Sequence, residues 1–154
     1  MAQESSFALP PAPHPALRRL QRLVGTWSMT GRTLGAATDD VIGRTTIEWL
    51  PGGFFLLLHG EIDFMGQHAH SLEVVGYDLD ADNFPATVYS SMDGAPAAYF
   101  WDVQGDEVTH WTAGSRYTGH FSADGSTLIG GWRPDAGVDQ APENTYDAIM
   151  RRVA

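Results

Sequence analysis

The sequence predicts an all-β fold: a single antiparallel up-and-down β-barrel with a short N-terminal helix. Three observations carry this expectation. After Gly25, runs rich in β-branched and aromatic residues are separated by turn pairs: Pro51-Gly52, Met65-Gly66, Asp93-Gly94, Gln104-Gly105, Ala113-Gly114 and Asp124-Gly125. Such punctuation at short intervals marks a β-meander of about ten strands. The chain has 154 residues, of which 43% are hydrophobic, enough for one domain with a real core. A sheet that long in so short a chain closes on itself, because closure removes the exposed edges.

Residues 1–14 hold alanine, serine and several prolines with little to pack, and are expected to form a disordered tail before a barrel domain over residues 15–154. From Pro15, Leu17, Leu20 and Val24 recur at helical spacing while Arg18, Arg19 and Arg22 take the other side. Pro15 suits a first helical turn and Gly25 a stop, so one short amphipathic helix precedes the first strand.

If each turn pair is a two-residue hairpin loop, cross-strand partners follow by counting outward. Pro51-Gly52 sets Trp49 against Phe54, Ile47 against Leu56, Thr45 against Leu58 and Val41 against Ile62. Met65-Gly66 carries those rows to Ala69, Ser71, Glu73, Val75 and Tyr77. This face is almost wholly apolar and is assigned to the interior, with Glu73 the exception, opposite Leu58. The other face pairs Arg44 with His59, Glu61 with His70 and Asp63 with His68, and is assigned to solvent. In the second half, the counting gives one interior row: Val88, Tyr99, His110, Tyr117 and Trp132. Trp101 falls opposite Val108, Gly119 opposite Gly130, where the glycines leave room, and Trp111 opposite Arg116 outside.

The composition excludes several functions. A net charge of −10 disfavours nucleic acid and anionic membranes as partners. There is no cysteine, hence no disulfide, thiolate nucleophile or cysteine metal site. All nine cations are arginine, which rules out lysine Schiff-base chemistry. No apolar run reaches membrane-spanning length, and no basic segment with an apolar core opens the sequence, so a cytoplasmic location is expected. Neither a Gly-x-Ser-x-Gly elbow nor a phosphate-cradling glycine motif occurs.

What remains is the barrel interior. Glu73, Tyr99, Trp101, His110, Tyr117 and Trp132 bring polar atoms inside, where each needs a partner or costs about 1–3 kcal/mol. A carboxyl and an imidazole in one pocket suit general acid–base work, and equally suit orienting a ligand. His68-x-His70, with His59, Glu61 and Asp63, resembles a metal set. The register puts these residues on the solvent face, where such pairs are ordinary contacts, so no metal is assigned. Phe55, Leu57, Leu72 and Val74 also gather outside. Either the helix or a second subunit covers them, the latter making a homodimer.

Leu23-Val24-Gly25-Thr26-Trp27, after a short helix and opening the first strand, resembles the Gly-x-Trp signature of calycins, the superfamily of lipocalins, fatty-acid-binding proteins and nitrobindins. The resemblance implies that Trp27 plugs one barrel end and that Arg151 or Arg152 packs across it. Leu50-Pro51-Gly52-Gly53-Phe54, Val75-Gly76-Tyr77-Asp78 and Tyr146-Asp147-Ala148-Ile149-Met150-Arg151 look closer to a bacterial family of calycin-like domains of unknown function. Nitrobindins bind haem through a barrel histidine. Here the one interior histidine, His110, lies mid-chain, and Ser28-Met29-Thr30-Gly31 stands in place of their glycine-rich extension. The leading expectation is therefore a small apolar or aromatic ligand within the barrel and no cofactor. Glu73 and His110 would orient the ligand's polar group; Tyr99, Trp101, Tyr117 and Trp132 would form the walls. The alternative is an enzyme with Glu73 or His110 as acid–base, of cyclase or isomerase type. A weaker alternative is haem on His110.

Overall fold

The computed structural model describes residues 11–154, so most of the segment expected as a tail lies outside the described residues. Ten strands follow one another: β1 Gly25–Thr33, β2 Val41–Trp49, β3 Leu56–Phe64, β4 Gln67–Val75, β5 Phe84–Ser90, β6 Asp93–Gln104, β7 Glu107–Thr112, β8 Ser115–Phe121, β9 Thr127–Pro134 and β10 Tyr146–Arg152. Each pairs antiparallel with its sequence neighbour, and β1 closes the barrel against β10. Among the described residues, no helix is long and apolar enough to cross a membrane.

The N-terminal helix, Pro15–Leu23, is a 3-10 helix. Its buried residues are Leu17, Leu20 and Leu23, a period of three in place of the expected Leu17, Leu20 and Val24. In a 3-10 helix residues three apart eclipse, so the three leucines form one ridge. That ridge plugs a barrel end beside Trp27, which is 1% exposed. Nine residues is long for this helix type. Side-chain anchors hold it: Arg19 reaches Asp82 and Asp102 at 3.0 and 2.8 Å, and Arg22 reaches Asp106 at 2.6 Å. Trp27 Nε1 donates to Leu23 O at 2.8 Å, and the Arg152 guanidinium lies 4.2 Å above the indole while donating to the Arg22 and Val24 carbonyls.

Met65-Gly66 and Ala113-Gly114 are two-residue turns as counted, so Glu73 does face Leu58, and His110 faces Tyr117. Asp124-Gly125 also gives the counted register, Tyr117 to Trp132 and Gly119 to Gly130. Three turns are displaced. Residues 50–55 form a six-residue loop, where Gly52 and Gly53 both take positive φ, and Trp49 meets Leu56 instead of Phe54. Arg44 consequently faces Glu61 and not His59. Between β5 and β6 the turn is Ser91-Met92, with Gly94 inside β6, and Tyr99 faces Ala86 and not Val88. Side-chain oxygens make that turn: Ser90 Oγ accepts from Met92 N and Asp93 Oδ1 from Ala95 N, so no glycine is needed. Between β6 and β7 the turn is Gly105-Asp106, with the glycine in its first position, so Trp101 faces His110 and not Val108. The net displacement of partners is two residues in each case; between β5 and β6 the turn alone shifts partners by four, and a β-bulge between Val88 and Ser90 takes two back. Strand side chains alternate with period two, so each residue keeps its face and only its partner changes.

Phe55, Leu57, Leu72 and Val74 stay on the outer face, and Phe55 is 44% exposed. The helix does not cover them, because its leucines are committed to the barrel mouth.

Candidate functional site

The displaced turns build a longer aromatic row than the sequence implied. Phe84, Trp101, His110, Tyr117, Trp132 and Tyr146 are successive cross-strand partners from β5 to β10. Phe84 and Trp101 stand where the two-residue count put Val88 and Tyr99. On the other side of the barrel, the inner faces of β2, β3 and β4 align Thr45, Gly60 and Ser71. Small side chains on one wall and wide ones on the other leave a cavity of about 230 Å³. Its apolar lining includes Met29, Ile47, Leu58, Ile62, Leu128 and Met150, and its polar lining includes Glu73 and His110.

Glu73 is 7% exposed, and it is the one charged side chain buried to that degree among the described residues. Trp101 Nε1 donates to its Oε2 at 2.8 Å, and His110 Nε2 lies 3.1 Å from the same oxygen. A carboxylate oxygen only accepts, which assigns the imidazole proton to Nε2. Both contacts fall on Oε2; Oε1 has no protein hydrogen-bond partner among the described residues. The His110 ring stacks on Trp101 at 3.7 Å between centroids, with Trp132 at 5.2 Å and Tyr99 at 5.1 Å. This packing fixes the ring plane, so the imidazole is oriented before any ligand arrives.

Of the six residues expected at the site, Glu73, Trp101, His110 and Trp132 line the cavity. Tyr99 and Tyr117 stand one contact back. Tyr99 backs His110, and Tyr117 lies across Gly119 and Gly130, so the room those glycines leave is filled by its own phenol. The Tyr117 hydroxyl is buried without a hydrogen-bond partner. Burial pushes the phenols of Tyr99, Tyr117 and Tyr146 up from their ordinary range, with the Glu73 charge adding to the effect at Tyr99. They are neutral at working pH, not bases, and of the three only Tyr146 lines the cavity. The count missed Tyr146 because residues 135–145 between β9 and β10 form a long connection, in which the Gly137 turn does not set a two-residue hairpin register. Thr45, Gly60 and Ser71 carry no chemical signature and were visible only as interior positions.

The arrangement offers one free carboxylate oxygen and one oriented imidazole at the edge of an apolar space. It accommodates a small molecule with a single hydrogen-bond donor, and it places an acid–base pair beside that donor.

The crystal structure of Rv2717c from M. tuberculosis is similar to this chain with a TM-score of 0.60, covering 92% of this chain and 99% of that one at 13% identity. At that identity the likeness is one of fold. None of the curated proteins compared with the chain matches it. The model of the family described as "Protein of unknown function (DUF1579)" matches residues 12–120, and the chain belongs to that family.

Proposed function

We propose that the barrel binds one small, largely apolar molecule whose polar group donates to Glu73 Oε1. The observation that carries this reading is the unpartnered oxygen of a buried carboxylate, beside a cavity that is otherwise mostly apolar. Glu73 Oε1 is not one of the fully buried atoms left without a partner, so it faces the cavity, where a ligand's donor can reach it. The volume sets the size class. An engineered cavity of ~150 Å³ takes benzene, so about 230 Å³ suits one or two fused rings. The same comparison weighs against haem, and so does the engagement of His110 Nε2 by Glu73. The Trp27–Arg152 stack supports the calycin-like reading of the barrel, with Arg152 rather than Arg151 in the role.

The Glu73–His110 pair also supports an enzyme reading, in which the same ligand is a substrate and the pair moves a proton. Native mass spectrometry of the purified protein, followed by assays of the recovered compound with Glu73→Gln, separates the two. A binder keeps most of its affinity in Glu73→Gln and returns the compound unchanged. An enzyme binds the compound, converts it, and loses conversion in the variant. A protein that neither carries nor takes up any small molecule contradicts both.

A further inference from the structure

The outer face of the β3–β4 hairpin carries a histidine pair that the cavity does not use. His68 and His70 are two apart on β4, so both imidazoles leave the same face, with Asp63 and Glu61 directly opposite on β3. The two Nε2 atoms lie 3.2 Å apart, with the rings crossing at 81°. The other nitrogen of each ring faces a carboxylate: His68 Nδ1 is 2.6 Å from Asp63 Oδ1, and His70 Nδ1 is 3.5 Å from Glu61 Oε1. The Asp63 hydrogen bond draws the His68 proton to Nδ1 and leaves its Nε2 lone pair bare, whereas Glu61 makes only a longer ion-pair contact with His70. Two nitrogens converging at this distance need either a proton on His70 Nε2 or a metal cation between them. The spacing matches that of two nitrogens on one tetrahedral ion, because Zn–N bonds of ~2.0–2.1 Å give an edge of about 3.3 Å.

We propose that His68 and His70 bind one divalent transition-metal ion of the zinc type through Nε2, with water completing its shell. Asp63 is the positioning residue that holds the His68 ring in the tautomer presenting Nε2, and Glu61 sets its charge beside His70. Imidazole nitrogen selects zinc, copper or nickel over magnesium and calcium, which prefer oxygen. Glu61, His68 and His70 offer ligand atoms all within 4.8 Å of one another, so the carboxylate charge stands beside the ion. Arg44, opposite Glu61 on β2, is the opposing charge on this face, and among the described residues it makes no ion pair. Of its residues only Glu61 also borders the cavity, and neither histidine does, so the histidine variants test the metal without touching the barrel ligand.

Titration of the full chain with zinc chloride near neutral pH, followed by calorimetry, tests it. The expected result is one zinc per chain and no response to magnesium. His68→Ala and His70→Ala should each weaken binding at least 10-fold. Asp63→Asn should weaken it by roughly 10-fold with unchanged stoichiometry, the usual size of an outer-partner effect. His120→Ala, on β8, should leave it unchanged. His68 and His70 are more than half exposed, so their variants keep the wild-type melting temperature. Absence of zinc uptake by the wild type, or equal uptake by the His68→Ala/His70→Ala double variant, overturns the proposal and leaves the converging nitrogens sharing a proton.

Discussion

Glu73 concentrates the chemistry of this chain in one side chain. It was legible in the sequence because the Met65-Gly66 turn fixes the register of β4, and a carboxylate on an otherwise apolar face stands out. Its partners were less legible: His110 was placed inside, but Trp101 was paired with Val108 because the β6–β7 turn sits one residue further on. Glu73→Leu orphans the Trp101 and His110 donors and is expected to cost about 1–3 kcal/mol for each donor left unpaired. Glu73→Gln keeps an acceptor and should lose less; urea unfolding of both variants reads the difference. A second prediction concerns Asp124, whose carboxyl is held down at about 2 by the Ser126 hydroxyl, then the Ser126 N–H and the Ser122 hydroxyl. Its folded value lies below the unfolded one. The unfolded chain therefore binds the proton more readily, and the stabilisation is present above about pH 4 and lost as pH falls toward 2. Asp124→Asn should be less stable than wild type at neutral pH, with the gap closing over that window in paired thermal melts.

At the scale of elements, strands were easier to read than turns. Alternation assigns faces over long runs, whereas one serine or aspartate oxygen moves a turn. Ser90 and Asp93 did so between β5 and β6, where Gly94 was the stronger signal in the sequence. The helix shows the same competition between local and tertiary preference. Its sequence fits an α-helical period, yet the barrel mouth selects the threefold ridge of Leu17, Leu20 and Leu23. On β8 and β9, the cross-strand pair Gly119 and Gly130 lies beneath the Tyr117 ring. A Cβ on Gly130 would come within 2.6 Å of Gly119 Cα and 2.7 Å of Tyr117 Cζ. Gly130→Ala must displace the ring or the strand, and is expected to destabilise by about 1–3 kcal/mol, as overpacking does. That corresponds to a fall in melting temperature of several degrees, measurable by circular dichroism.

At the scale of the molecule, the closed ten-strand barrel was legible because turn spacing and chain length leave few other ways to bury these strands. The cavity was not. It depends on which rows face each other across the lumen, a relation between β2–β4 and β6–β10 that local register does not contain. The wall of Thr45, Gly60 and Ser71 becomes meaningful only opposite Trp101, His110 and Trp132. The most direct test of a ligand-binding barrel is therefore a thermal-shift titration with two probes, 1-naphthol and naphthalene, on the wild type and on Ser71→Leu. If the cavity takes a fused ring and Glu73 Oε1 takes its donor, both probes raise the wild-type melting temperature, naphthol by more, and Ser71→Leu responds to neither. If neither probe shifts the wild type, or if Ser71→Leu responds as the wild type does, the barrel interior is not the binding site.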